Sequence, residues 1–337
     1  MLPADGALAG GDAFVSTGRL PPDARVAALV AEAHTLFRAN DEGDVSHVYP
    51  ALARMPRDLF GICIVATDGR VHAAGDVDTP FALMSVAKPF VFALVCEALG
   101  PEAISERVGV NATGLPFNAA EAVERSPDGR TNPMVNPGAI ATTSLVPGRT
   151  AAEKWEAIVD GLSRFAGRPL SLDEEVFRSA SATNHVNREL TALLEERGRV
   201  YCDGADALDL YTRQSSLAVT AKDLAVMGAT LADGGLNPVT RDRVVREALC
   251  HHVLAVMSIA GLYETSGDWL YDIGLPAKSG IGGGIVTVSP GKGGLGTFAP
   301  PLDAAGNSVK GQLVARFLSR RLGLDLFASS PLDASSS

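Results

Sequence analysis

The chain has 337 residues, of which 46% are hydrophobic, and it carries a formal net charge of −10. At this length it can bury a sizeable core as one large domain or as two intimate lobes. An acidic balance without a basic cluster argues against nucleic acid or an anionic membrane as a partner.

The cysteines and the first residues indicate the compartment. Four cysteines are scattered along the chain without a CxxC pair: Cys63, Cys96, Cys202 and Cys250. Scattered single cysteines suit a reducing compartment, where they usually serve as small buried hydrophobes. The N-terminus has glycines and acidic residues where a signal peptide needs a basic start and an apolar run. We therefore expect a cytoplasmic protein.

Hydrophobic spacing and turn residues predict the elements in chain order. In the first hundred residues these are a loose leader at 1–25, a helix at 24–39, a β-hairpin at 60–75 around Asp68-Gly69, and an apolar helix between Thr79-Pro80 and Gly100-Pro101. Further on they are a turn-rich loop at 132–138, a helix at 217–231, a strand at 280–288, a turn at 290–296, a final helix at 313–322 and a flexible tail at 326–337. The apolar helix contains Lys88, Pro89 and Glu97, which argues against a membrane span.

This order of elements predicts an α+β fold. A hairpin and a helix come first, a mainly helical lobe occupies about 100–250, and strands return near the end. In such a fold the helical lobe is inserted into a sheet that both ends of the chain build together.

One glycine motif formally resembles a dinucleotide-binding fingerprint. Residues 291–296 read GKGGLG, which satisfies GxGxxG. A true fingerprint follows a strand and opens a helix whose N-terminus faces the pyrophosphate. The next residues, TFAPPLD, cannot start that helix, so we interpret the motif as a tight turn between strands.

The histidines do not form a metal motif. His251 and His252 are adjacent, so their side chains diverge on a helix, and no partner stands at ligand spacing. We interpret them as surface or packing residues. The sequence predicts neither a metal nor an organic cofactor.

Ser85 and Lys88 form an SxxK motif at the start of the apolar helix. Residues three apart share one helix face, with Cβ atoms ~5–6 Å apart, so the lysine can reach the serine hydroxyl. A lysine whose pKa is lowered by apolar surroundings can take the proton of a serine nucleophile. The alternative is a capping serine beside a lysine that extends to solvent.

A second motif near the other end of the chain favours the catalytic interpretation. Lys278-Ser279-Gly280 is predicted to begin a strand beside the serine helix. The backbone N–H of Ile281 and that of Ser85 would then form an oxyanion hole. SxxK followed by a late K[ST]G is the arrangement of β-lactamases and penicillin-binding proteins.

Longer segments carry a resemblance to one family. Seven segments occur in consistent order over about 25–325: FALMSVAK at 81–88, NPMVNPGAI at 132–140, LDLYTRQSSL at 208–217, LAVMGATLADGG at 224–235, GLYETSG at 261–267, LPAKSGIGGGI at 275–285 and LDAAGNS at 302–308. Together they resemble the serine-dependent bacterial glutaminases. The resemblance implies a β-lactamase-like fold, with an antiparallel sheet flanked by helices and a catalytic domain over 26–325. It also implies hydrolysis of glutamine to glutamate and ammonia, and a homo-oligomer, either a tetramer or a dimer.

The same resemblance assigns roles to single residues. It implies Ser85 as the nucleophile and Lys88 as its base, with Tyr211, Tyr263 and Lys278 as further catalytic residues. The positions that it implies contact glutamine are Ser85, Asn136, Asn187, Tyr211, Tyr263 and Ile281. Amide side chains can serve the carboxylate and the ammonium of an amino acid, and a tyrosine can relay a proton to departing ammonia.

The sequence departs from the family pattern at two positions of the site. Ala180 stands where the family usually has a glutamate that meets the substrate ammonium; Glu174 or Glu175 could swing into the gap. Val48 stands at the position of an active-site tyrosine, and Tyr49 is expected to face elsewhere if the segment is regular. A third change, Gln-Ser-Ser at 214–216 for the common Gln-Cys-Ser, is mild.

Three hypotheses follow for the function. The first is a glutaminase, and the second keeps the fold but acts on a different γ-amide without a free α-ammonium, which would tolerate Ala180. The third is a weakly active homologue with a binding or regulatory role. The presence of Ser85, Lys88, Tyr211 and Lys278 favours an enzyme.

Overall fold

A computed structural model describes residues 20–329 of the chain. The helices of this part are α1 Asp23–Phe37, α2 Ala87–Leu99, α3 Pro101–Arg107, α4 Glu121–Glu124, α5 Asn136–Ser144, α6 Ala151–Ala166, α7 Glu174–Thr183, α8 His185–Glu196, α9 Gly204–Ser215, α10 Ala221–Ala232, α11 Glu247–Ala260, α12 Ser266–Ile273 and α13 Val309–Leu322. Its strands are β1 Gly61–Ala66, β2 Val71–Gly75, β3 Phe81–Ala82, β4 Ser171–Leu172, β5 Leu217–Val219, β6 Ala277–Ser279, β7 Gly284–Ser289 and β8 Gly293–Phe298. Most of the expected leader and tail lies outside the described residues, and α1 begins at Asp23.

Both ends of the chain build the main sheet. Its five strands are antiparallel neighbours in the order β2-β1-β8-β7-β6, and Gly61 of the N-terminal hairpin pairs with Phe298 of the last strand. The helices α2–α11 and a small sheet, β3-β5-β4, lie between the two halves in sequence. The predicted α+β fold with an inserted, mainly helical lobe is confirmed.

The two faces of the main sheet are covered by different helices. Along β1, Ile62 and Ile64 pack in one apolar cluster with α1 and α13, whereas Cys63 and Val65 pack with α10. Successive strand residues point to opposite faces, so an unbroken apolar run fits a strand that is buried on both sides.

The glycine motif at 291–296 explains how α10 approaches the sheet. A Cβ atom on Gly294 would lie 2.3 Å from the Ala225 carbonyl oxygen, and one on Gly296 would lie 2.1 Å from that of Ala221. The expected turn over 290–296 is wrong in its extent, because β8 begins at Gly293. The last glycines are strand residues that let a helix backbone lie directly on the sheet.

Three further sequence predictions need correction. The expected loop at 132–138 contains the start of α5, since Pro137 is tolerated in a first helical turn. The expected helix at 217–231 begins only at Ala221, after β5 and a capping box of Thr220 with Asp223. The expected strand at 280–288 begins at Gly284, and residues 280–283 form a turn.

The early hairpin, the apolar helix and the final helix are confirmed. Over residues 20–329 no single helix has the length and apolar character to cross a membrane; the pair Met84–Leu99 and Pro101–Arg107 passes only when taken together, and it is bent by 113°.

The tight contact between β8 and α10 makes a stability prediction. Gly296→Ala should lower the free energy of unfolding by about 1–3 kcal/mol, because the new methyl group meets backbone atoms that cannot move aside. Urea unfolding followed by circular dichroism measures it. Gly267→Ala is the control, since Gly267 lies exposed in α12 with open space around it and the change should be neutral or stabilising by up to about 1 kcal/mol. Equal stabilities of the two variants would contradict the contact.

Candidate active site

Ser85 lies in a tight turn between a strand and a helix. The chain leaves β3, passes through a 3₁₀ turn at Met84–Val86 and enters α2. Met84 has a φ of +49°, a strained value for a residue with a side chain, and it directly precedes the serine. This strained turn fixes the direction of Ser85, which is 8% exposed.

A glycine turn brings Ile281 against the serine turn. A Cβ atom on Gly280 would lie 3.1 Å from the Leu83 carbonyl oxygen, and one on Gly282 would lie 2.6 Å from that of Ala82. The sequence prediction that Lys278-Ser279-Gly280 begins a strand is wrong, because β6 ends at Ser279. The backbone hydrogen bonds within the turn run from Gly280 N to Gly284 O and from Gly283 N to Gly280 O. Neither of them uses the Ile281 N–H.

Lys88 is buried and bonded to neutral acceptors. It is 2% exposed, and its Nζ donates to Asn136 Oδ1 at 2.7 Å and to the Met134 carbonyl oxygen at 3.3 Å. Burial lowers the pKa of Lys88 to about 7. A neutral amine has two hydrogens and one lone pair, so two acceptors use both hydrogens and leave the lone pair for another group. Ser85, one helical turn away on the same face, is the neighbour that can use it.

Three asparagines and a tyrosine form a hydrogen-bonded cluster beside the lysine. Asn136 from α5 accepts from Tyr211 OH of α9 at 3.0 Å, in addition to Lys88. Its Nδ2 donates to Asn187 Oδ1 of α8 at 2.9 Å, and Asn187 Nδ2 donates to Asn184 Oδ1 at 2.6 Å. Burial raises the pKa of the Tyr211 hydroxyl well above its ordinary value, so this group is a donor at neutral pH.

Tyr263 and Lys278 form a second buried group beside the serine. Tyr263 has a φ of +58°, and its hydroxyl donates to the Ser279 carbonyl oxygen at 3.2 Å. Burial raises the pKa of Tyr263 to about 12, and hydrogen bonding with Ser85 and Ser279 opposes the rise. Lys278 Nζ lies 4.2 Å from the centre of the Tyr263 ring and donates to the carbonyl oxygens of Gly261 and Ser279 at 2.9 and 2.7 Å. Burial, with repulsion from Lys88, lowers the pKa of Lys278 well below its ordinary value.

A cavity of about 120 Å³ opens over the serine. The sequence-predicted residues that line it are Ser85, Asn136, Asn187, Tyr211 and Ile281. The three others are buried behind this lining: Lys88 bonds to Asn136, Tyr263 interacts with Ser85, and Lys278 lies against the Tyr263 ring. His251 and His252 lie on α11 and do not line this cavity.

Both residues of the altered tyrosine position line the cavity. Val48 and Tyr49 reach it together because the backbone bends at 48–49, so Tyr49 does not face elsewhere as a regular segment would require. Burial raises the pKa of Tyr49, and this hydroxyl interacts electrostatically with Tyr211.

Ala180 leaves the cavity without a carboxylate. Its methyl group lines the cavity, and among the described residues that line it none is aspartate or glutamate. Glu174 and Glu175 lie more than a turn earlier in α7, and Glu175 forms an ion pair with Arg54. The swing of either carboxylate into the gap, considered above as compensation, therefore has no support in this arrangement.

The sequence reasoning missed Asn184 and Thr212. Asn184 Nδ2 donates to Thr212 Oγ1 at 3.0 Å, and both residues line the cavity. Asn184 falls between α7 and α8, and asparagine is common at helix ends for local reasons, which hides a role in the site. The nearby Asn187 was a possible signal, because two asparagines three apart can face one partner.

Comparisons with known proteins identify the family of the chain. A family model described as Glutaminase matches residues 43–327. Glutaminase 2 of Yersinia pestis is 66% identical over 94% of this chain and 94% of its own length, and a glutaminase of Mycobacterium ulcerans is 46% identical over 90% and 95%. A solved probable glutaminase, ybaS, superposes with a TM-score of 0.90 at 42% identity and covers 92% of this chain and 100% of its own.

A more distant structure is also similar. The probable glutaminase of Bacillus subtilis, solved with 6-diazo-5-oxo-L-norleucine, has a TM-score of 0.81 at 28% identity, with 89% of this chain and 96% of that chain covered. The predicted β-lactamase-like fold is confirmed by these neighbours. The family match spans most of the chain and the identities are high over nearly full lengths, so the chain belongs to the glutaminase family, the enzymes that hydrolyse glutamine to glutamate and ammonia.

Proposed function

We propose that this glutaminase works through an acyl-enzyme on Ser85, with Lys88 as the general base. The observation that carries the proposal is the state of Lys88: its amine is buried, its pKa is lowered to about 7, and neutral acceptors occupy its hydrogens. Such an amine presents a lone pair to its neighbour on the helix. The proposed chemistry uses only side chains and backbone groups of the chain.

Acylation moves one proton and exchanges one bond. Ser85 Oγ attacks the side-chain amide carbon of glutamine and gives its proton to Lys88 Nζ. The oxygen of that amide becomes negative, and the N–H groups of Ser85 and Ile281 are proposed to stabilise it. The carbon–nitrogen bond then breaks, and the proton held by Lys88 passes, with Tyr263 as a relay, to the departing nitrogen, which leaves as ammonia. In the second half, water replaces ammonia and releases glutamate from Ser85.

The tyrosines serve as proton donors rather than bases. The pKa of each hydroxyl is raised by burial, to about 12 for Tyr263. Tyr263, which interacts with Ser85, is suited to pass a proton to the departing nitrogen. Tyr211 holds Asn136 in place. Lys278 bonds only to carbonyl oxygens and the Tyr263 ring, so we assign it a positioning role through Tyr263.

The cavity also supports a second substrate. Asn136, Asn187, Tyr211 and Tyr263 are proposed to hold the α-carboxylate and α-nitrogen of glutamine. Without a carboxylate in the described lining, an α-ammonium meets no negatively charged side chain there. A γ-amide whose α-nitrogen is acylated carries no charge there and loses nothing. Glutamine derivatives of this kind are therefore the second candidate substrate. The working form is proposed to be a cytoplasmic homo-oligomer, a tetramer or dimer, as the resemblance implies.

The first prediction tests the nucleophile. Ser85→Ala should abolish ammonia release, whereas the stability should fall by only about 1 kcal/mol, since one hydroxyl is lost. Incubation of the wild type with a diazoketone analogue of glutamine should add one label, which peptide mass spectrometry places on Ser85. Ser215→Ala, at another hydroxyl of the cavity lining, is the control and should keep the label. A label on any of the four cysteines would overturn the assignment.

The second prediction concerns pH. Since the base works in its neutral form, kcat/KM for glutamine should rise tenfold per pH unit below about 7 and level off above it. Lys88→Arg should remove the activity although it keeps the charge, because arginine does not deprotonate in a protein. Lys154→Arg is the matched control, because Lys154 is also buried and bonded to two carbonyl oxygens but lies outside the site. The kcat/KM of this variant should stay within about twofold of the wild-type value. An active Lys88→Arg enzyme with an unchanged profile would show that the base lies elsewhere.

The third prediction concerns Ala180. Ala180→Glu should lower KM for glutamine about ten- to a hundredfold, because a charged hydrogen bond to the ammonium contributes roughly 1.5–3 kcal/mol. With N-acetylglutamine the same variant should gain nothing. Ala180→Gln has the same size without the charge and is the control. Equal KM values for glutamine in wild type and Ala180→Glu would mean that the missing carboxylate is compensated.

A further inference from the structure

A one-way chain of hydrogen bonds leads from a helix carbonyl to the catalytic lysine. Taken from the carbonyl inwards, the members of this hydrogen-bond chain are Leu208 O, Thr212, Asn184, Asn187, Asn136 and Lys88. Each of the four side chains between the two ends donates to the member before it and accepts from the member after it. All the side chains in it are at most 6% exposed. This hydrogen-bond chain lies in the wall of the cavity, and its members come from helix α9, the α7–α8 region, α5 and α2.

The direction of the chain is set at its outer end. A carbonyl oxygen can only accept, and Thr212 Oγ1 donates its single hydrogen to Leu208 O at 2.8 Å. The hydroxyl oxygen must then accept, so Asn184 turns its Nδ2 towards Thr212. Asn184 is left with its Oδ1 for the next residue, and Asn187 donates to it.

The orientations of Asn187 and Asn136 follow in the same way, towards the lysine. Asn187 turns its Nδ2 towards Asn184, so its Oδ1 faces Asn136 and accepts from it. Asn136 in turn directs its Nδ2 to Asn187, so its Oδ1 faces Lys88 and Tyr211 and accepts from both. An amide carries its donor and its acceptor on opposite sides, so one reversed residue would reverse the ones that follow.

We propose that Thr212 and Asn184 are positioning residues that make Lys88 a base by fixing which end of Asn136 faces it. With Oδ1 towards Nζ, the amide takes a hydrogen of Lys88 and leaves the lone pair for Ser85. With Nδ2 towards Nζ, the amide would donate into that lone pair and compete with Ser85. Neither residue touches the lysine, and neither was singled out by the sequence. The inference rests on the proposed role of Lys88.

Among the described residues, two titratable groups interact with Lys88. Lys278, from β6, interacts with it electrostatically, and the ring of Tyr211, from α9, lies 5.9 Å from Nζ. A change at Thr212 removes no charge from these groups. The direction of a shift in the pH profile therefore reports on the amide. The acid limb of the profile is the part at low pH in which the rate rises with pH as Lys88 loses its proton. A reversed Asn136 disfavours the charged lysine and moves this limb to lower pH. A loosened structure that admits water moves the limb to higher pH, towards the ordinary lysine pKa.

The test compares three threonine variants in the full-length enzyme. Thr212→Val keeps the shape of the side chain but removes the hydroxyl, whereas Thr212→Ser keeps the hydroxyl. Thr142→Val is the control: it removes a similar hydrogen bond, 2.7 Å from a buried helical threonine to Gly138 O, that does not belong to the hydrogen-bond chain. For each variant, kcat for glutamine is measured from pH 5 to 9, with circular dichroism as a check on folding. Thr212→Val should lose about tenfold in kcat with its acid limb at lower pH. Thr212→Ser and Thr142→Val should match the wild type.

Each other outcome has one meaning. A Thr212→Val enzyme with the wild-type kcat and profile, or with a limb moved to higher pH, would overturn the proposal. If Thr212→Val does not fold, Asn184→Ala interrupts the chain one step further in and should give the same loss and the same direction of shift. Failure of the proposed function is separate, since the wild type itself would then lack an acid limb near pH 7.

Discussion

The burial of one lysine amine is the constraint on which the rest of the site depends. A charged ammonium is costly in an apolar interior, so burial shifts Lys88 towards its neutral form. Met134 O and Asn136 Oδ1 give the amine partners for its hydrogens without a counter-charge, whereas a carboxylate there would hold the proton in place. The second buried lysine, Lys278, is also shifted towards its neutral form, because burial and repulsion from Lys88 both lower its pKa.

The fold brings this lysine to a point where three parts of the chain meet. The serine turn comes from the stretch that follows the N-terminal hairpin, the Ile281 turn comes from the C-terminal strands, and the amides come from the helical lobe. Glycines at 280 and 282 allow the two turns to touch. Positive φ values at Met84 and Tyr263 show that the two elements flanking the serine hydroxyl are held in strained conformations, which well-packed surroundings can maintain.

The sequence was sufficient for the fold class and for most of the site. SxxK and the late KSG segment carry physical roles at fixed spacing, so Ser85, Lys88 and Ile281 could be proposed directly, and the family resemblance supplied Asn136, Asn187 and both tyrosines. Local rules failed where tertiary contacts decide. Leu217 pairs in a strand although the spacing of apolar residues around it fits a helix. Gly296 lies in a strand, where the absence of a side chain lets α10 lie against the sheet. For Asn184 the spacing from Asn187 was a possible signal, whereas Thr212 could not be found, since the role proposed for it depends on the direction of bonds between separate helices.

The measurement closest to the central claim is a direct titration of the Lys88 amine. Nuclear magnetic resonance of enzyme labelled with ¹⁵N-lysine, with the Lys88 signal assigned by its loss in Lys88→Arg, follows Nζ as a function of pH in the absence of substrate. If Lys88 is a buried base, the titration of its amine should have a midpoint near pH 7. A midpoint close to the ordinary lysine value of about 10.4 would contradict it, because Lys88 would then be a cation at working pH and could not take the proton of Ser85.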